Sequence, residues 1–146
     1  RDVGVIATED KRFLSVLDQK LHFSQDKRIK LVGTVYNQPL LKKIRENAYG
    51  YLHGHEVGGT NPSLLEALGS TNLNLLYDVG FNREVGRDTA LYWIKKEGDL
   101  AKLIDRADAM RPDEVERKGA EAKEIIRMEY NWKFISDRYA EVFMNM

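Results

Sequence analysis

Apolar and polar positions along the chain switch between two periods. Residues 3–7 form a short apolar run ending at Thr8, which predicts a strand. Phe13, Leu14, Leu17 and Leu21 follow at helical spacing. The same unit returns. Residues 29–35 are rich in β-branched side chains and stop in the turn-prone Tyr36-Asn37-Gln38-Pro39. Leu40, Leu41, Ile44 and Ala48 then mark a second amphipathic helix. A third unit joins a β-type run (Ala48, Tyr49, Tyr51, Leu52) through a loop holding Gly54, Gly58 and Gly59 to a helix that opens at Asn61 or Pro62 and reaches about Leu68. Asn61 suits an N-cap, and Pro62 suits the first helical position, where a missing N–H costs nothing.

Residues 73–79 predict a fourth strand, closed by Asp78 and Gly80. The polar segment Phe81-Asn82-Arg83-Glu84-Val85 leads to a short strand at residues 90–93. Helices alone follow. Leu100, Leu103, Ile104 and Ala107 mark one that ends before Pro112. A long charged one from Asp113 carries Val115, Ala122, Ile125 and Ile126. Trp132, Ile135, Tyr139 and Val142 define a last one after a break near Asn131. Strands alternating with helices predict an α/β fold, a Rossmann-like, mostly parallel sheet with helices on both faces and right-handed crossovers. In such sheets ligands bind beyond the carboxyl ends of the strands. The loops at residues 8–11, 34–38, 54–63 and 78–84 are therefore the places to look for chemistry.

Composition narrows the function classes. At 146 residues and 42% hydrophobic content, one domain with a sizeable core is expected across residues 1–146. Twenty-three basic and 23 acidic residues balance, which gives no electrostatic case for a nucleic-acid partner or an anionic membrane. The absence of cysteine excludes disulfides and thiolate metal sites. No apolar run reaches the roughly twenty residues of a membrane span, and the first residues lack the form of a signal peptide, so a cytoplasmic protein is expected. The chain opens on a strand without an initiator methionine, from which a preceding region is expected to be absent.

The stretch from residue 52 to residue 68 concentrates the candidate chemistry. Its glycines let backbone approach a ligand closely, and the unpaired N–H groups at the helix start point at an anion such as phosphate. Glu66, one turn further in, is placed to accept hydrogen bonds from a sugar diol, although a solvated helix glutamate looks the same in sequence. Thr60, Asn61 and Ser63 are candidate phosphate donors, though capping alone explains Asn61 and suits Ser63. His53 and His55 straddle Gly54 and are expected to turn to opposite faces. They are not read as a metal pair, and no third ligand is apparent. His55 is the more functional of the two candidates because it lies nearer the glycine loop. Asp78 and Glu84 have no assigned role, and Trp93 and Trp132 read as packing residues.

Three blocks together carry a family likeness: Gly33-Thr34-Val35-Tyr36-Asn37, Gly58-Gly59-Thr60-Asn61-Pro62-Ser63-Leu64-Leu65-Glu66-Ala67-Leu68 and Asp78-Val79-Gly80-Phe81-Asn82-Arg83-Glu84-Val85. The chain resembles the C-terminal, donor-binding half of retaining GT-B glycosyltransferases, closest to the bacterial rhamnosyltransferases of capsule or cell-wall polysaccharide synthesis. The likeness covers nearly the whole chain, and implies that the first strand of that half, with its Arg/Lys pair for the diphosphate, is absent.

The resemblance implies that Glu66 holds the ribose hydroxyls of a nucleoside-diphosphate sugar. By the same likeness Gly58, Gly59, Thr60, Asn61 and Ser63 meet its sugar and diphosphate, and Val35, Tyr36 and Asn37 edge the base. The donor would be of dTDP-rhamnose or UDP-hexose type, with no metal and no cofactor. The acceptor, a glycan or lipid-linked glycan, would be held by an absent N-terminal domain, toward which the helices of residues 113–146 would pack. Peripheral membrane association would belong to the full-length enzyme. The family's first glutamate falls eight positions before Glu66, where this chain has Gly58. Either Glu56, ten before it, reaches the sugar from a longer loop, or backbone contacts replace the carboxylate; the catalytic residues stay open, with Glu56 and His55 as side-chain candidates. The alternative reading is a non-catalytic domain that binds a nucleotide or sugar phosphate for regulation.

Overall fold

The computed structural model describes residues 1–6, 10–55 and 62–130. Five strands and six helices alternate through them: β1 (Val3–Val5), α1 (Lys11–Leu21), β2 (Ile29–Leu31), α2 (Gln38–Asn47), β3 (Tyr51–His53), α3 (Pro62–Leu68), β4 (Asn74–Tyr77), α4 (Gly80–Gly86), β5 (Leu91–Trp93), α5 (Asp99–Asp108) and α6 (Pro112–Glu129). All strand pairings are parallel, but they fall into two sheets, β1-β2 and β3-β4-β5, where the sequence suggested one. The fold is α/β, with small parallel sheets flanked by helices in a Rossmann-like arrangement. The chain divides into two compact units, Arg1–Leu41 and Lys42–Met146.

In the first unit, caps rather than burial define the elements. Asp10 starts α1 by accepting the Phe13 N–H at 3.1 Å. The helix ends at His22, whose backbone turns left-handed (φ 52°) and returns its N–H to the Asp18 carbonyl at 2.7 Å. The Asp18 carboxylate then ties down the following turn through the N–H and hydroxyl of Ser24, at 2.9 and 2.6 Å. Asn37 caps α2 through the Leu40 N–H at 3.1 Å. Pro39 therefore sits inside the first turn of that helix, not in a turn preceding it. None of the described residues of this unit is buried.

The second unit holds the core, and β4 divides it. Leu76, on one face of β4, joins Leu64 and Leu68 of α3, Val85 of α4, Ala90 just before β5, and Ala122 of α6. Leu75, on the opposite face, joins Leu73, Leu91 of β5, and Leu103 and Ala107 of α5. Adjacent residues of one strand feed two clusters because side chains alternate across a sheet. Full burial of each such leucine contributes about 1.5–3 kcal/mol. Helices thus cover both faces of the β3-β4-β5 sheet.

The segment read from sequence as a polar connection, residues 81–85, is helix α4. Its polar composition hides one buried face made by Asn82, Val85 and Gly86. The long helix α6 opens with Pro112 at its start and Asp113 and Glu114 in its first turn, which suits the helix dipole. It docks closely because Gly119 has no side chain: a Cβ there would lie 2.6 Å from the Asn72 Cα. Polar ties reinforce that contact. Lys118 donates to the Asp88 carbonyl and Lys123 to the Asn72 side chain, each at 2.7 Å, and Arg87 pairs with Glu129. The expected last helix around Trp132 lies outside the described residues.

Candidate functional site

The carboxyl ends of β3, β4 and β5 are marked by His53, Tyr77 and Trp93. The Tyr77 and Trp93 rings stand 5.1 Å apart. From β3 the chain passes through Gly54 and His55 toward α3. Asn82, fully buried on α4, stitches this end together: its amide nitrogen donates to the Tyr77 carbonyl at 2.8 Å and to the His55 carbonyl at 3.2 Å. One amide group thereby holds the start of the β3–α3 connection against the end of β4.

His53 and His55 do not turn to opposite faces. Their rings lie 6.0 Å apart, because residues two apart on an extended chain share a face. Tyr51 is the third member of that row. Its hydroxyl lies 3.0 Å from His53 Nδ1. Burial, and secondarily the neighbouring His55, holds the His53 imidazole below the usual histidine range, so it stands neutral near pH 7. Burial pushes the Tyr51 hydroxyl up, with Arg45 opposing and Glu66 adding to the shift. Among the described residues no group of three or more His, Asp or Glu side chains is placed to hold a metal ion.

Glu66 lies on the exposed side of α3, and its carboxylate is not simply solvated. Arg45, from the last turn of α2, reaches it with Nη1 to Oε2 at 2.5 Å. The two partners differ in surroundings: the Arg45 side chain is 12% exposed and Glu66 49%. The C-terminal end of α2 is fixed in turn by the Thr71 hydroxyl, which donates to the Arg45 carbonyl at 2.9 Å. Sequence reading passed over Arg45 because a basic residue in the last turn of a helix is ordinary dipole compensation. Only its spatial relation to α3 reveals a second use.

Several polar atoms at this end of the sheet are buried without a hydrogen-bond partner: His53 Nε2, Trp93 Nε1 and Asn82 Oδ1. Such atoms cost free energy unless a water or ligand meets them. Trp93 thus has a polar edge as well as the packing role read from sequence.

The other sequence candidates separate clearly. Ser63 is exposed in the first turn of α3. Glu56, Gly58, Gly59, Thr60 and Asn61 lie outside the described residues. Val35, Tyr36 and Asn37 belong to the first unit. Tyr36 is 86% exposed, and the Asn37 side-chain oxygen caps α2. Asp78 is bound by Arg83 in a two-pronged ion pair, and the guanidinium holds its carboxyl below the usual carboxylate range. Arg83 also lies over the Tyr92 ring, 4.2 Å from its centre. Burial pushes the Tyr92 hydroxyl up to about 12.

No protein-family model matches the chain, and no curated protein matches it.

Proposed function

We propose that the chain is the donor-binding domain of a glycosyltransferase that takes a nucleoside-diphosphate sugar of dTDP-rhamnose or UDP-hexose type. Transfer to a glycan or lipid-linked acceptor, with retention at the sugar carbon, would occur in a longer protein that supplies the acceptor side. The observation that carries this reading is the situation of Glu66: an exposed carboxylate, oriented by a mostly buried arginine, on the helix that follows a parallel strand in the chain. A carboxylate so placed accepts hydrogen bonds from pentose hydroxyls. The unpartnered Nε2 of His53 and Nε1 of Trp93 support a polar ligand at the carboxyl end of the sheet.

In this reading Glu66 binds the pentose, and the backbone N–H groups of residues 58–61 stabilise the diphosphate charge that grows as the glycosidic bond breaks. His55 and Glu56, just after β3 in the chain, are the candidate groups for contact with the transferred sugar. Calorimetric titration with dTDP, UDP and GDP tests the binding step. Saturable binding of at least one nucleotide, lost in Glu66→Ala and absent with inorganic phosphate alone, is expected. Failure of all three nucleotides to bind overturns the reading. Release of free dTDP or UDP from a sugar nucleotide by the full-length protein separates a transferase from a regulatory binder.

A further inference from the structure

We propose that His53 and Asn82 form a subsite for one hydroxyl group of the transferred sugar, His53 Nε2 donating to it and Asn82 Oδ1 accepting from it. The inference rests on the donor-binding reading above and adds a sugar contact that takes a neutral hydroxyl and not an acidic group.

Topology brings the two residues to one place. His53 pairs in register with Leu76, and paired residues of neighbouring strands put their side chains on the same face of a sheet. That face is the one covered by α3, α4 and α6. Asn82 stands on the buried side of α4. It bonds the His55 carbonyl, two residues beyond His53, at 3.2 Å and the Tyr77 carbonyl, one residue beyond Leu76, at 2.8 Å. Both side chains therefore meet the carboxyl ends of β3 and β4 from the same side. Trp93, paired with Tyr77, belongs to the opposite face with the α5 cluster, so its Nε1 is no part of this subsite.

His53 is 4% exposed and Asn82 0%, yet Nε2 of the one and Oδ1 of the other have no hydrogen-bond partner. Their chemistry is complementary. The Tyr51 hydroxyl has His53 Nδ1 as its partner at 3.0 Å, and donating there satisfies its O–H and leaves the imidazole proton on Nε2. The Asn82 nitrogen is identified by the two carbonyls it serves, which makes the remaining atom a pure acceptor. One buried donor and one buried acceptor stay open on one face, and each costs free energy until a group meets it. A hydroxyl meets both through a single oxygen. A phosphate or carboxylate oxygen only accepts, so it would satisfy His53 and set itself against the Asn82 oxygen. With the pentose assigned to Glu66, the hydroxyl belongs to the transferred sugar.

Nitrogen NMR of the imidazole reads this contact in the wild-type chain, independently of how any variant folds. Near neutral pH the ligand-free protein should carry the His53 proton on Nε2. Adding dTDP-rhamnose or UDP-glucose should shift the Nε2 resonance, whereas dTDP or UDP alone should leave it in place. Calorimetry supplies the energetic half. His53→Phe should weaken the sugar nucleotide about tenfold and leave the matching diphosphate unchanged. His53→Gln, whose amide can present an N–H in place of Nε2, should recover part of that loss. A proton found on Nδ1, or a resonance that ignores the sugar or moves equally with the diphosphate alone, overturns the inference and leaves the donor-binding reading intact. So does an equal loss of sugar nucleotide and diphosphate in His53→Phe. Failure of every nucleotide to bind removes the donor-binding reading, and this inference with it.

Discussion

At the level of single residues, His53 is the most informative. Its ring is buried, its Nδ1 faces the Tyr51 hydroxyl, and its folded-state pKa lies below the ordinary 6.5. Between those two values the unfolded chain binds more protons than the folded one, so stability rises with pH across the window. As pH falls below about 6.5 the unfolded state takes up protons first and the fold loses ground, until the pH passes the folded value and the loss stops growing. Urea midpoints recorded from pH 7.5 down to about pH 5 should therefore decline in the wild-type chain. In His53→Gln that part of the decline should flatten. A profile unchanged by the substitution would mean that the imidazole titrates alike in both states.

At the level of elements, two glycines on helices make opposite predictions. Gly119 on α6 sits where a Cβ would meet the Asn72 backbone, so Gly119→Ala forces the helix outward. This should cost about 2 kcal/mol in denaturant unfolding. Gly80, at the start of α4, has nothing within 4 Å of a Cβ, and Gly80→Ala should change stability by less than about 0.5 kcal/mol. The contrast also shows what sequence patterning conveys. Every described strand was legible from apolar runs to within a few residues at its ends, α1, α2, α5 and α6 from helical spacing, and α3 from the start signal of Asn61 and Pro62. Helix α4 was not, since Asn82, Arg83 and Glu84 look like a loop until Asn82 is seen buried with its amide on two carbonyls. Glu66 was legible as a candidate from its place after Pro62. Its partner Arg45 was not, because the contact joins residues 21 apart that only the packing of two helices brings together.

At the level of the whole molecule, stability is unevenly distributed. Both core clusters lie in the unit from Lys42 onward, while Arg1–Leu41 has no buried residue among those described. A two-stranded sheet without a covered apolar face is marginal in water. Amide hydrogen exchange at Val5 and Lys30 should accordingly run faster than at Leu75 and Leu76 by roughly two orders of magnitude. Equal protection at the two sets would contradict the picture.

Among the described residues β1 pairs only with β2. The Val3 N–H reaches the Arg28 carbonyl at 2.8 Å, and the Val5 carbonyl accepts from the Val32 N–H at 2.9 Å. By alternation the Gly4 N–H and carbonyl face the other way, a vacant row of donors and acceptors that invites any extended polypeptide. Charge is placed beside it: Asp2, at the mouth of the strand, is bound to Lys30, which lies opposite Gly4. A chain with zero formal net charge at pH 7 has little general repulsion to fall back on. Replacing both gatekeepers, as in Asp2→Asn with Lys30→Gln, should shorten the lag before light scattering rises in a concentrated solution. An unaltered lag would show that solubility is defended elsewhere.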